Sequence, residues 1–433
     1  MPEKGAPRIR RRTWLVAALA VTLLAASSVT WFAVSRAEER EDVLDANRAL
    51  VARGCAGLLR EELYSSVPDD ERGVLDAYGT LLQPGQESRA LLDCTVAWGA
   101  DGGASEADVR AKVRAEAVPD RTSPGGVTGD FGLPLPSTAT GSTGAADPWH
   151  TGPVATSSLL VDCPKGLDGR GRSVRDLLVS VNLPTGSDGA DEGYDDYDDY
   201  DDDVPKAERL AAARTAAKVA NWVSRKQGCG SEPLRTEPGA APAKAPELCA
   251  WLSPKGLGST PGKWSFDGND SVYNRRAGAC GGQWDDTAGS PGHLTVKAAG
   301  AESWSGVLAN GAYEDYADDL MVPDPKDSGL NAPADKPVTV EQSGDDPQLA
   351  LWARSECAAG PTYHRVTVTP EFDFDYGLED GKVVLQPKDQ RRLSQRVHTV
   401  LDRYLAAPDG WPRRSHCRKT TIVGEVAEWR ERD

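Results

Sequence analysis

Eight cysteines run through this chain in an order that repeats, and that order constrains the fold more than any other feature. Cys55, Cys94, Cys163 and Cys229 fall in the first half, and Cys249, Cys280, Cys357 and Cys417 in the second. Their intervals are 39, 69 and 66 residues, then 31, 77 and 60. Cys94 and Cys280 each precede a tryptophan by four positions, Trp98 and Trp284. Each half also ends in an amphipathic helical pattern with apolar spacing 4, 3, 4: Ala212, Ala216, Val219, Val223, then Leu393, Val397, Val400, Tyr404. Both patterns follow a Pro-Lys pair, Pro205-Lys206 and Pro387-Lys388. This predicts an internal duplication, with domains at 37–229 and 247–433 and a linker at 230–246 that holds four prolines.

An apolar run, Trp14 to Val34, precedes every cysteine and carries no charge over 21 residues. At about 1.5 Å per residue it spans about 31 Å, the hydrocarbon thickness of a bilayer. Lys4, Arg8, Arg10, Arg11 and Arg12 lie before it, and Glu38, Glu39 and Glu41 after it. The positive-inside rule then predicts a cytoplasmic tail at 1–13 and a transmembrane helix at 14–34. A cleaved secretory signal is the alternative, with Ala33 and Ser35 as small residues at the cleavage point. The run exceeds the 7–15 apolar residues of a usual signal, which favours an uncleaved signal anchor. Both readings place the chain after about residue 36 outside the cytoplasm, so the expected localisation is the cell membrane.

Cysteines in even number beyond an export signal point to disulfides. Eight allow about 105 connectivities, but only three per half if each half closes on itself. The expected bonds are Cys55–Cys94, Cys163–Cys229, Cys249–Cys280 and Cys357–Cys417, each tying a helix or its end to a strand. A zinc site is the alternative, and no C-x-x-C or C-x-x-H pair supports one.

Along each half the pattern reads α+β. A helix is expected over 37–64, carrying Cys55, and strands over 90–98, 158–163 and 173–183. Residues 107–118 fit either a strand or a short helix. Residues 119–157, rich in Gly, Ser, Thr and Pro, read as a flexible loop. A helix follows over 205–226, with Asp203 as its cap. The second half offers a short helix at 248–251, a strand region from 280 to 298, strands at 349–357 and 365–369, and a helix over 388–405. Glu371 to Tyr376 alternates like an edge strand. Each unit is thus an antiparallel sheet of four or five strands with flanking helices.

With its Cys-x-x-x-Trp motifs, cysteine positions and element order, the chain resembles uncharacterised exported or membrane-anchored cell-envelope proteins of the actinomycete type. The resemblance covers about residues 45–230 and 246–420. It implies an extracytoplasmic setting and duplicated cysteine-containing α+β domains, and it brings no functional residue with it. Many such proteins carry a lipidated cysteine; no cysteine directly follows the apolar run here.

Charge narrows the partners. The whole chain carries −17, and residues 1–34 hold five basic groups against one acid, so the remainder holds −21. Such a surface repels nucleic acid and anionic headgroups. Nucleic acid is therefore excluded as a partner; the membrane, through the N-terminal helix, and an envelope protein or small molecule remain. Ser187 to Asp203 is the densest acidic stretch, with ten acids and tyrosines at Tyr194, Tyr197 and Tyr200. It reads as an extended, solvated loop. Asp195, Asp196, Asp198, Asp199, Asp201, Asp202 and Asp203 are its candidates for contact with a cation or a basic partner, although no EF-hand pattern is present.

No catalytic signature appears. G-x-S-x-G, H-E-x-x-H and a phosphate-cradling glycine loop are all missing. The five histidines, His150, His293, His364, His398 and His416, stand in no recognisable triad spacing. Trp251, Trp264, Trp284 and Trp304 could stack on sugars, or serve as core anchors. The expectation is a non-catalytic binding or interaction module at the cell envelope, without a cofactor. The alternatives are a glycan-acting hydrolase, whose carboxylate pair spacing alone does not select, or a carrier of a small apolar ligand.

Overall fold

The protein is a mixed α+β chain with antiparallel sheets and four disulfides. The structure, a computed structural model, describes residues 34–65, 67–78, 90–99, 109–118, 127, 131–146, 153–167, 174–185, 204–237, 249, 251–252, 263–266, 274–285, 296–312, 336–341, 348–370 and 382–427. The expected membrane span lies outside these residues except for Val34, and among them no helix is long and apolar enough to cross a membrane. The acidic stretch 187–203 and the run 371–376 also lie outside them.

The chain divides into two compact units, residues 1–77 with 94–111, and residues 78–93 with 112–433. The smaller unit begins with α1, 34–53. The single helix expected to Tyr64 breaks at Gly54–Gly57, where Cys55 and Ala56 take φ of 49° and 57°. Left-handed backbone costs a non-glycine residue about 1–2 kcal/mol, so a helix cannot continue through it. A short α2, Arg60–Leu63, follows, and then β1, Val74–Tyr78. Fully buried Asn47 holds the segment before β1: its amide donates to the Pro68 and Glu71 carbonyls at 2.9 and 2.8 Å, and its Oδ1 accepts from Gly73 N–H at 2.7 Å. Cys55 bonds Cys94 on β2, Ala90–Trp98.

The first sheet continues with β3 (Val109–Val118), β4 (Ala139–Ala146), β5 (Val154–Asp162) and β6 (Asp176–Pro184), in the hydrogen-bonded order β1-β2-β3-β6-β5-β4. Of the stretch 107–118, Val109–Val118 is a strand. β4 corrects the loop expected over 119–157. Its sequence, ATGSTGAA, lacks the bulky residues that announce a strand. Smallness is what the position requires: a Cβ on Gly141 would fall 2.7 Å from the Ser158 carbonyl and 2.8 Å from the Phe131 ring. Val127, Phe131 and Leu133 in the same stretch are buried.

Helix α3, Lys206–Gln227, packs on β4, β5 and β6. Its stripe Ala212, Ala216, Val219, Val223 is wholly buried, and Ala213, Ala217 and Ala220 beside it let the helix lie close to the sheet. Pro205 takes the N-cap position without a side-chain cap, and Gly228 ends the helix at φ 66°. Cys229 then bonds Cys163. The expected linker does not start loosely. Asn221 brackets Leu234, accepting from its N–H at 2.8 Å and donating to its carbonyl at 2.9 Å, which fastens the chain to α3 at that point.

The second sheet comprises β7 (Lys263–Phe266), β8 (Ala277–Asp285), β9 (Val296–Ser305), β11 (Leu349–Cys357), β12 (Gly360–Pro370) and β14 (Arg418–Ala427). Its order is β14-β11-β12-β9-β8-β7, and β10 (Val338–Glu341) pairs separately with β13 (Lys382–Leu385). Each large sheet has six strands where four or five were expected. Cys249 sits in a turn closed by Leu252 N–H on its carbonyl at 2.9 Å, not on the helix expected at 248–251, and bonds Cys280 on β8.

Helix α4, Pro387–Ala406, covers β9, β11 and β12 with Leu393, Val397, Val400 and Tyr404, all essentially inaccessible. Each such side chain stabilises the fold by about 1.5–3 kcal/mol. A one-turn α5, Trp411–Arg414, then leads to Cys417, which bonds Cys357. All eight cysteines are therefore paired as the order predicts.

The two large sheets share a buried contact within the larger unit. Val118, Val127 and Leu160 pack with Ala277, Val307 and Leu308. Beside them Asp162 and Asp176, opposite one another on β5 and β6, both receive the Arg276 guanidinium, and Arg275 reaches Asp162 at 3.2 Å. Burial raises the Asp162 carboxyl above its ordinary pKa by more than Arg276 and Arg275 lower it.

Candidate functional site

Strand alternation places two different environments on the faces of the second sheet. From Ala299 to Ser305 the odd-numbered residues of β9, and from Thr362 to Val368 the even-numbered residues of β12, are turned to the side of α4; their neighbours face away. On that far face, register sets three rows across β8, β9 and β12: Ala279, Glu302, Arg365; then Gly281, Gly300, Thr367; then Gln283, Ala298, Thr369. The middle row has two glycines side by side, so the sheet surface drops between taller rows. A cavity of about 320 Å³ results.

One wall is an ion pair. Arg365 Nη1 meets Glu302 Oε2 at 3.0 Å, with the side chains 19% and 38% exposed. Arg365 Nη2 also donates to Gln348 Oε1 at 3.5 Å. The other wall is neutral, from exposed Gln283 and buried Thr369. A Cβ on Gly281 would meet nothing within 4 Å, so its position is open space above the floor. Trp304 closes one end, its ring stacked on Trp352 at 5.6 Å and packed against the cluster of Val307 and Ala277.

The face toward α4 carries a chain of buried polar groups. Ser303 Oγ lies 2.7 Å from His364 Nδ1 and 2.8 Å from the Tyr404 hydroxyl. His364 Nε2 lies 2.8 Å from Ser355 Oγ, which contacts Thr420 Oγ1 at 2.7 Å. His364 has no exposed surface, and burial pushes its pKa down to about 4. The Ser303–His364 distance is that of a nucleophile and its base, yet a substrate cannot touch either group. The chain instead satisfies core polar atoms. His364, Cys357 and Cys417 bring their donor atoms within 4.8 Å of one another. With both sulfurs in one disulfide, neither is a thiolate that could ligate a metal.

The expected site residues fare unevenly. The cysteines all serve as crosslinks, and Asp195, Asp196, Asp198, Asp199, Asp201, Asp202 and Asp203 lie outside the described residues, as do His150 and His293. His398 is half-exposed on α4, 3.6 Å from Glu425. Trp251 packs on the core with its ring 5.0 Å from Tyr404, an anchor; the side chains of Trp264 and Trp284 lie outside the description. Gly281, Gly300, Glu302 and Arg365 were not singled out by sequence. Small residues at alternate positions of two facing strands were the available cue. Comparison with protein families, with curated proteins and with solved structures finds no match to this chain.

Proposed function

We propose that this chain is a single-pass, membrane-anchored extracytoplasmic protein whose second sheet is a non-catalytic small-molecule binding module. The glycine-floored cavity carries the reading: it is a concave, mixed-polarity surface on a sheet fastened by disulfides at Cys280 and Cys357. The four disulfides suit an oxidising compartment, and the run 14–34 supplies the anchor.

A duplicated architecture supports the wider picture. Reversed, the second sheet's order is β7-β8-β9-β12-β11-β14, parallel to β1-β2-β3-β6-β5-β4 in the first. Cys94 and Cys280 then fall on equivalent strands, and Cys163 and Cys357 at the ends of equivalent strands. We read 37–229 and 247–433 as related domains that have docked through Arg276 and its carboxylates.

The chemistry of the cavity argues against the alternatives. Glycoside hydrolysis needs two carboxyl groups about 5–9.5 Å apart across the scissile bond, and Glu302 is the one carboxylate in the described lining. The Trp304 ring is stacked on Trp352 and packed beside Val307 and Ala277, which makes it an anchor between neighbours more than an open sugar platform. Glu302, Arg365 and the Gln and Thr side chains suit a polar ligand better than an apolar one.

Gly281→Phe tests the reading, since it fills the cavity from a position with room for a side chain. Full-length protein in mild detergent is exposed to small molecules extracted from its own envelope and examined by native mass spectrometry. An adduct on the natural chain that disappears in Gly281→Phe is expected. An adduct that persists in the variant, or none on either chain, refutes the cavity as a binding site.

A further inference from the structure

We infer that the cavity takes a zwitterionic ligand, a free α-amino acid, with its ammonium on Glu302 and its carboxylate on Arg365. This rests on reading the cavity as a binding site and names what would fill it. Glu302 and Arg365 stand directly opposite one another on β9 and β12, their charges 3.0 Å apart at one end of the floor. The pair is partly buried, Arg365 more so than Glu302, so whatever opens it must return a counter-charge to each group. What enters must then satisfy both groups. A simple anion captures Arg365 but confronts the Glu302 carboxylate at close range, and a simple cation does the reverse. A molecule with ammonium and carboxylate on one carbon re-pairs both charges in the space the internal pair now occupies.

The rest of the cavity suits the remainder of such a ligand. Beyond the ion pair lie Gly300, over which the Thr367 hydroxyl leans, and Gly281, above which the space is open to a ligand's side chain. At the far wall, four residues further along β9 and so about 13 Å away at 3.3–3.4 Å per residue, Gln283 and Thr369 offer an amide and a hydroxyl. The main-chain groups of β9 are engaged on both sides by β8 and β12, so recognition falls to these side chains.

The test is isothermal titration of the full-length protein in mild detergent with each of the twenty protein amino acids singly. Those that bind are repeated as N-acetyl and as α-amide derivatives. The expected result is saturable binding of at least one amino acid. Each capped derivative should bind about 10- to 100-fold more weakly, the loss of one charge-assisted hydrogen bond. Arg365→Gln and Glu302→Gln should show matching losses, with unfolding temperature confirming that each variant is folded. The capped ligands make the same test without any substitution. No binding by any of the twenty, or capped forms that bind as well as free ones, overturns the inference. If amino acids fail while another envelope molecule gives a Gly281→Phe-sensitive adduct, the ligand class is wrong and the binding site stands. Amino acids that bind Gly281→Phe undiminished overturn both.

Discussion

His364 makes the stability of the second sheet depend on pH in a calculable way. It is fully buried between Ser303 and Ser355, and burial lowers its pKa from 6.5 to about 4. In the unfolded chain it protonates near 6.5, so between pH 6.5 and about 4 the unfolded state holds more protons than the folded one. The folded state is favoured by the neutral imidazole at neutral pH and loses that advantage as pH falls through this window. Below about 4 both states are protonated and the loss is complete. At about 1.4 kcal/mol per pKa unit, the change is about 3 kcal/mol. His364→Gln removes the titration and keeps an amide that can donate to one serine and accept from the other. Guanidinium unfolding followed by tryptophan fluorescence, with disulfides intact, gives both stabilities at pH 7.5, 6, 5 and 4. The variant should be less stable at pH 7.5, and its deficit should shrink, or reverse, by about 3 kcal/mol at pH 4. Carboxylates titrate in both proteins and cancel in the difference. A constant gap from pH 7.5 to 4 would refute the reasoning.

Three other perturbations have defined outcomes. Gly278→Ala drives a methyl group into the Trp411 ring, which is held by its Nε1–H on the Asn274 carbonyl at 2.7 Å; overpacking should cost about 1–3 kcal/mol, seen by calorimetry as a lower melting temperature. Arg276→Met leaves Asp162 and Asp176 facing each other without their shared cation. A loss of about 3–5 kcal/mol is expected in denaturant titration, with partial recovery when Asp162→Asn is added. Replacing Cys163 and Cys229 together by alanine releases a 66-residue crosslink; a loss of about 4 kcal/mol is expected in the chain-entropy model, and an unchanged midpoint would show that crosslink to be dispensable.

What was legible in the sequence was local. The stripes on α3 and α4 have helical spacing, and β2 and β11 are runs of apolar residues between breakers, so their bounds emerge from short windows. The cysteine pairing emerged because each bond closes a loop within one half. What was hidden depends on distant partners. β4 is a strand because Leu159 and Phe131 leave space only for glycine at position 141, which nothing in ATGSTGAA announces. The break at Cys55 and Ala56 interrupts a segment of good helical pattern. The cavity needs Gly281, Gly300, Glu302 and Arg365 brought level by strand register, and His364 meets Ser303 across 61 residues. Register of this kind is a property of the assembled sheet.

The edge position beside β5 is filled by β4, which precedes it in the chain, whereas the matching position beside β11 is filled by β14, which follows α4 and α5. The consequence is one of timing. All six strands of the first sheet are present once residue 184 has been made; the second must wait for residue 427. Until then β11 presents a bare hydrogen-bonding edge, and Leu349 lacks its partner Ala427. A chain threaded outward from its N-terminus would complete its first sheet while the second still had an unpaired rim. Shortening it by even the last strand would leave that rim permanently available to whatever strand came next.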